Sequence, residues 1–204
     1  MTSGGCKCVL LGVVVSIYFE GAGAFDEDSI LVERFLAGEA SAFEALYSKY
    51  YGKVLSLSKG VLISEEEAAD VTQEVFTLVY RNLHRFNRQS KFSTWLFRIT
   101  INRSIQESRK RRFKHKHVEL SEAAESVAPE QIEDADPRIQ SAMEKLTPQD
   151  RAILTLFYWQ EQNLQEISES MEINLNAAKT RLYRARERFR IYFEKEVPHD
   201  SERN

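Results

Sequence analysis

The stretch that decides the fold is LQEISESMEINLNAAKTRLYRARERFRIYFEK, residues 164–195. It predicts a short helix over 164–171, a polar turn, and a second helix over 176–195 with seven Lys or Arg and two acids. The apolar residues of the second helix recur at helical spacing: Ala178, Leu182, Ala185, Phe189 and residues 191–193. A helix with one buried stripe and arginines elsewhere suits the major groove of DNA. The alternative for a single Arg-rich helix is a solvated basic face, but a second basic segment lies upstream.

Charge is strongly segregated along the chain. The 204 residues include 28 Lys or Arg and 31 Asp or Glu, so the net charge of −3 argues against indiscriminate coating of nucleic acid. Residues 98–116 nevertheless hold eight basic residues and one acid, whereas residues 119–136 hold seven acids and no Lys or Arg. Gly and Pro are scarce and alternating apolar runs are absent, which predicts an all-α fold of one domain or two small ones.

The first 24 residues differ from the rest. They hold both cysteines, Cys6 and Cys8, without a His/Cys cluster at zinc spacing, so we expect no metal site. The apolar run over residues 9–19 is shorter than the ~20 residues that span a bilayer. A start codon placed too far upstream, a membrane-tethering or partner-binding extension and an export signal all remain open. The lack of further cysteines is typical of a reducing cytoplasm.

Downstream, short and long amphipathic helices are predicted over residues 30–37 and 43–57. Ser64 and Glu67 then predict a capping box for a helix that reaches residue 86. The helix dipole accounts for the acids of its first turn. A polar patch one turn further in is explained less well: Asp70, Gln73 and Glu74.

A polar loop over residues 87–91 leads into a helix predicted over 94–112. Aromatic residues alternate there with cations, a combination that suits single-stranded DNA because rings stack on bases while Arg and Lys contact phosphates. We expect Phe97 to be core, whereas Trp95 suits either the core or base stacking. The four histidines accompany no carboxylate pair or nucleophile arrangement, so we expect no enzyme and no catalytic residue.

Four motifs in order carry a family resemblance: DVTQEVF (70–76), RFNRQSKFSTWLFRITINR (85–103), LTPQDRAILTLFYWQ (146–160) and LQEISESMEINLNAAKTRLYRAR (164–186). Their order and spacing resemble the extracytoplasmic-function (group IV) sigma factors of the sigma-70 superfamily, over residues 26–193. The resemblance implies a non-catalytic subunit that binds core RNA polymerase and directs promoter-specific initiation. It also implies an anti-sigma partner, no cofactor, no small-molecule substrate and a cytoplasmic location, with membrane association through the anti-sigma partner or the N-terminal segment left open.

The resemblance also implies a division of the chain. A helical region 2 bundle over residues 25–112 and a region 4 helix-turn-helix domain over 137–195 would be joined by a flexible acidic linker over 113–136. Residues 1–24 would be an extension and 196–204 a tail.

Site residues follow from the same resemblance. Binding to core polymerase is assigned to the polar patch: Asp70, Gln73 and Glu74. Recognition of the −10 element as single-stranded non-template DNA, with help in melting, is assigned to Asn87, Arg88, Lys91, Trp95, Arg98, Asn102, Arg103 and Arg109. Recognition of the −35 duplex is assigned to Lys179, Thr180, Arg181, Tyr183, Arg184 and Arg186.

The motifs depart from the family pattern at three places. Ser168 stands where the first helix usually has alanine. Glu172 stands where the turn usually has glycine, which is tolerable if the residue avoids positive φ or accepts the strain. Ala177 and Ala178 replace a Thr-Val pair, which removes a phosphate contact or a helix-start hydrogen bond. Two rival hypotheses are a helical protein-binding scaffold or adaptor with a merely solvated basic face, and an ordinary repressor or activator of duplex DNA.

Overall fold

The computed structural model describes residues 27–118 and 136–195. Within these ranges every regular element is a helix and no strand is present, which confirms the predicted all-α fold. The N-terminal extension, residues 119–135 of the acidic stretch and the tail over 196–204 lie outside the described residues. The described helices are α1 (Glu27–Leu36), α2 (Ala40–Leu62), α3 (Glu65–Asn82), a 3₁₀ turn (Leu83–Arg85), α4 (Phe92–Val118), α5 (Pro137–Glu144), α6 (Pro148–Tyr158), α7 (Leu164–Ser170) and α8 (Leu175–Lys195).

Helices α1–α4 form the N-terminal bundle, in which α2 packs against α1, α3 and α4. The predicted capping box at the start of α3 is half formed. The Ser64 hydroxyl accepts a hydrogen bond from the Glu67 N–H, but the Glu67 carboxylate pairs with Arg111 of α4. The Glu67 carboxylate therefore forms a tertiary ion pair in place of the capping-box hydrogen bond from the Ser64 N–H. Helix α3 ends at Asn82, before residue 86, because the chain tightens there into the 3₁₀ turn.

Helix α4 is longer than predicted. It runs to Val118, six residues beyond the expected end at Arg112. No Gly or Pro interrupts the chain between Arg112 and Pro129, so the change in composition at residue 113 does not stop the helix. The first six residues of the predicted linker are thus helical, and Asp136, its last residue, caps α5 by accepting a hydrogen bond from the Arg138 N–H.

Helices α5–α8 form the C-terminal domain. The Thr147 side chain caps α6 by accepting a hydrogen bond from the Asp150 N–H, with Pro at the helix start, as predicted. The predicted stripe of α8 is buried at Ala178, Leu182 and Ala185. Towards the C-terminal end of α8 the residues of the stripe are less buried, and Ile191 is 44% exposed. The helix-turn-helix prediction is therefore confirmed, with its core limited to the first turns of α8.

The two domains pack against each other, chiefly through α2 with α6 and α4 with α7. Helices α2 and α6 approach closely at Gly60, where an added Cβ would lie 2.4 Å from the Thr155 Oγ1 atom. The buried Arg151 of α6 donates from Nε to the Val61 carbonyl of α2 at 2.8 Å and from Nη1 to the Leu146 carbonyl at 2.9 Å. Burial lowers the pKa of Arg151 to about 10, although nearby Glu144 opposes the shift, so the guanidinium stays charged at neutral pH.

Candidate nucleic-acid interface

The polar patch of α3 is exposed, as its proposed role in binding requires. Asp70, Gln73 and Glu74 line a shallow groove of about 470 Å³ together with Thr77, Leu78 and Arg103. Carboxylate and amide oxygens dominate this groove, so it suits a partner that presents N–H donors or cations.

Arg103, which the sequence grouped with the −10 set, also lines this groove. Its guanidinium pairs with Glu74 and bonds Gln106. At about 100° per residue, Arg103 lies roughly 100° around α4 from Asn102, which turns it towards α3. Neighbouring residues of a helix thus lie on different faces, and Arg103 and Asn102 face different parts of the structure.

The loop before α4 is held by contacts to both domains. Asn87 Oδ1 accepts a hydrogen bond from the Gln89 N–H at 3.2 Å, which tightens the loop. Arg88 adopts φ 59° and pairs with Glu33 of α1 at 2.6 Å. Lys91 pairs with Glu166 of α7 at 2.6 Å. The three predicted residues are exposed, but two of them are already paired with carboxylates within the chain.

Trp95 is part of the core, which decides between the two alternatives left open by the sequence. Its side chain is 8% exposed, and its ring lies 5.4 Å from that of Phe86 and 6.1 Å from that of Phe92. It presents no free stacking platform in this conformation. Phe97 is 1% exposed and is core, as predicted.

Three predicted polar residues share one face of α4. Arg98, Asn102 and Arg109 fall within about 40° of one another at helical spacing. The Glu172 carboxylate lies 3.7 Å from Arg98 Nη1 and 3.5 Å from Asn102 Nδ2. Arg109 is exposed and forms no ion pair with any residue that the structure describes.

Helix α8 presents the −35 set on the side away from its buried stripe. Lys179, Thr180, Tyr183 and Arg184 are exposed, Tyr183 by 65%. Arg181 is half-buried at one flank of this face. Arg186, at the other flank, stacks its guanidinium 4.7 Å from the Phe157 ring centre. The exposed face is thus polar and cationic along about two turns of helix, the length that a recognition helix inserts into a major groove.

The turn between α7 and α8 accepts strain at the position where the family has glycine. Glu172 has φ 54°, in the left-handed region that costs a non-glycine residue about 1–2 kcal/mol. At the start of α8, the Asn174 side chain accepts a hydrogen bond from the Ala177 N–H at 2.8 Å. Asn174 therefore makes the helix-start bond whose loss was expected from the missing threonine.

Sequence reasoning missed three polar contacts. The capping box of α7 joins Asn163 and Glu166, a spacing that was readable as a helix start. Asn174 three residues before Ala177 is a similar local signal. The role of Arg151 had no such signal, because its partner Val61 lies 90 residues away.

Among the described residues, no group of three His, Cys, Asp or Glu side chains is arranged to hold a metal ion. No helix in the described ranges combines the length and the apolar character that crossing a membrane requires.

Comparison with known proteins agrees with this architecture. Residues 46–114 match the family Sigma-70 region 2, and residues 137–189 match Sigma-70, region 4. The chain is 32% identical over 167 residues to the ECF RNA polymerase sigma factor SigW of Bacillus subtilis (strain 168), covering 75% of this chain and 89% of that protein.

Two solved structures share the fold. CnrH in complex with the cytosolic domain of CnrY gives a TM-score of 0.66 at 23% identity, covering 84% of this chain and 100% of that chain. The sigma factor RpoE in complex with the anti-sigma factor NepR from Bartonella quintana gives 0.63 at 17% identity, covering 76% and 98%. With both sigma-70 regions in order and a relative matched over most of its length, the chain belongs to the extracytoplasmic-function sigma factors, subunits that direct RNA polymerase to promoters.

Proposed function

We propose that this sigma factor divides promoter recognition among three surfaces. The α3 groove binds core polymerase, the loop over residues 87–91 with one face of α4 binds the −10 strand, and α8 binds the −35 duplex. Residues 25–112 act as region 2 and residues 137–195 as region 4. The observation that carries the proposal is the exposed face of α8, where Lys179 and Arg184 have no ion pair with any described residue and lie opposite the buried stripe.

In the −10 surface, Arg98, Asn102 and Arg109 act on one strand from a single face of α4. Lys91, Asn87 and Arg88 extend that surface into the loop. Extruding a base costs a few kcal/mol of stacking and pairing, so the surface must return that energy through hydrogen bonds and phosphate contacts. Trp95 supports this surface from beneath, since it packs with Phe86 and Phe92.

In the polymerase-binding surface, Asp70, Gln73 and Glu74 supply acceptors and Arg103 holds Glu74 in place. In the −35 surface, Arg184 and Lys179 contact phosphates or guanine edges, Thr180 and Tyr183 lie between them, and Arg181 and Arg186 contact the flanks. Arginine discriminates guanine by about 1–3 kcal/mol when it bonds O6 and N7 together, whereas phosphate contacts add affinity without sequence preference.

The proposal extends to partners and location. The sigma factor RpoE of similar fold is held by the anti-sigma factor NepR, and an anti-sigma protein is the corresponding partner for this chain. The chain acts in the cytoplasm without a cofactor, a small-molecule substrate or catalysis of its own. Membrane association would come through the anti-sigma partner or the N-terminal segment.

Run-off transcription with purified core polymerase on fragments of the source genome tests the assignment. We expect discrete new start sites only when the protein is present, and their loss with Asn102→Ala or Arg184→Ala. Arg190→Ala on α8 is the matched control for Arg184→Ala, because Arg190 is exposed but lies outside the proposed surfaces. Start sites that persist in both test variants would contradict the placement of the surfaces. Tight duplex binding without any new start would instead support an ordinary regulator.

A further inference from the structure

Helix α1 contacts the loop over residues 87–91. Glu33 of α1 pairs with Arg88 of the loop, with 2.6 Å between Glu33 Oε1 and Arg88 Nη1. The two residues are 55 apart in sequence, and both side chains are nearly half exposed. Helix α1 also packs against the 3₁₀ turn that leads into the loop. A helix that carries none of the residues assigned to DNA therefore contacts the loop proposed to bind the −10 strand.

Buried rings hold the two ends of this loop. Phe86 precedes the loop and Phe92 begins α4, and their rings meet edge to face at 5.9 Å. Tyr50 of α2 packs against Phe92 at 5.4 Å, and its hydroxyl donates to the buried Asp28 carboxylate of α1. Because these contacts fix both ends of the loop, the conformational freedom that remains lies in the residues between them.

Arg88 has a strained backbone in the middle of the loop. Its φ of 59° lies in the left-handed region, which disfavours every residue with a Cβ atom relative to glycine. Such conformations persist where surrounding contacts determine them, and they cluster at binding sites. One such contact is the hydrogen bond from the Gln89 N–H to Asn87 Oδ1 at 3.2 Å, within the loop. Glu33 supplies another from outside the loop.

Glu33 engages only one of the three guanidinium nitrogens of Arg88. No residue that the structure describes accepts a hydrogen bond from Arg88 Nε or Nη2. A planar guanidinium that a carboxylate holds on one side keeps its other N–H donors in a fixed orientation. Donors in a fixed orientation discriminate between bases, because each base has its own arrangement of acceptors, whereas phosphate contacts carry no sequence information.

We infer that Glu33 is a positioning residue for base selection in the −10 element. It holds Arg88 so that the free donors of the guanidinium meet the edge of one unpaired base, and it contacts no DNA itself. This inference rests on the proposed −10 role of the loop. Without the carboxylate, Arg88 keeps its charge and its attraction to the strand but can rotate. The preference among bases therefore falls, while the overall affinity for the strand changes little.

Base substitution in a promoter measures this selection. In run-off transcription with the full chain and core polymerase, each −10 position of one start site is changed to all four bases. We expect Arg88→Ala to lower the ratio of initial rates between the best and the worst base at one position. Glu33→Gln should lower the ratio at that same position about threefold, as the loss of an exposed ion pair implies.

A charge-matched control lies on the same helix. Glu27→Gln also removes one exposed ion pair from α1, the pair with Lys49 at 2.9 Å, but Glu27 makes no contact with the loop. We expect this variant to leave the base ratio unchanged at every −10 position. A ratio that falls equally in Glu27→Gln and Glu33→Gln would overturn the inference, because the effect would then follow from the charge of α1 alone.

A double variant distinguishes positioning from a merely structural role. If Glu33 acts through Arg88, adding Glu33→Gln to Arg88→Ala should leave the base ratios where Arg88→Ala alone sets them. A structural role would instead lower the rates on all templates by one factor and would persist in the double variant. Unchanged ratios in Glu33→Gln, or a further fall in the double variant, would overturn the inference.

Amide hydrogen exchange gives a second readout on the protein alone. We expect the Gln89 N–H, which is bonded to Asn87, to exchange about threefold faster in Glu33→Gln than in the unchanged protein or in Glu27→Gln. Equal exchange in all three proteins would overturn the inference.

Run-off transcription separates this inference from the proposed function. Start sites that depend on Asn102, with base ratios unaffected by Glu33→Gln, would overturn the role of Glu33 and leave the −10 surface in place. A complete lack of start sites with the unchanged protein would overturn both.

Discussion

Replacing Arg151 with methionine is expected to destabilise both the C-terminal domain and its contact with α2. Arg151 is 7% exposed, and its guanidinium donates to the Val61 carbonyl in the last turn of α2 at 2.8 Å and to the Leu146 carbonyl just after α5 at 2.9 Å. Methionine fills a similar length of space but supplies no donor. The variant therefore leaves buried acceptors unpaired without opening a large cavity.

The magnitude follows from two opposing terms. Hydrogen bonds from a charged donor contribute about 1.5–3 kcal/mol each, so two such bonds amount to about 3–6 kcal/mol. Burial also disfavours the charged guanidinium, as its pKa of about 10 indicates, and removing the charge returns part of that energy. We expect a net loss of about 2–3 kcal/mol in the free energy of unfolding, or roughly 4–12 °C in Tm for a chain of this size.

Urea and thermal unfolding followed by far-UV circular dichroism measure the effect. Arg190→Met is the control, because Arg190 is 60% exposed and its pairs with Glu187 and Glu194 are worth less than about 1 kcal/mol. Arg151→Lys should fall between wild type and Arg151→Met, since lysine keeps the charge but lacks the planar fork. If Arg151→Met and Arg190→Met shift the unfolding midpoint equally, the bridging role assigned to Arg151 is wrong.

Three further predictions concern the turn before α8, the DNA-binding face of α8 and the ion pair of Glu166 between the two domains. Glu172→Gly should be more stable to urea than Glu172→Gln by about 1 kcal/mol, because both lose the carboxylate but only glycine relieves the left-handed backbone; equal midpoints would contradict this. Arg184→Ala should weaken promoter-duplex binding about tenfold and flatten its salt dependence in anisotropy titrations, whereas Arg190→Ala should change little, and the opposite order would refute the α8 assignment. Burial opposes ionisation of Glu166, but Lys91 and the Asn163 N–H outweigh it and keep the pKa of Glu166 below its ordinary 4.5. The stability that this carboxylate adds is therefore complete above pH 4.5 and is lost as pH falls through the pKa of Glu166 in the folded protein. Small-angle scattering should then show the two domains moving apart in acid, and Glu166→Gln should not show this change with pH.

The sequence alone determined most of the local structure. Helix starts at Ser64 and Thr147, the buried stripe of α8 and the helix-turn-helix could be predicted because caps and helical periodicity depend on residues only a few positions apart. The family could likewise be predicted from four motifs in order. The end of α4 was missed because a change in charge composition does not break a helix, whereas Gly or Pro does.

The tertiary structure decided which surfaces those helices share. In the folded protein Arg103 pairs with Glu74, and Trp95 is buried. Arg151 bonds to Val61, 90 residues away, and Lys91 pairs with Glu166, 75 residues away. Contacts at such separations depend on how the surfaces of two distant segments fit together. The residue pattern of one segment does not predict which other segment it will contact. The sequence thus identified two DNA-binding modules, while only their packing brought the acids of one onto the cations of the other.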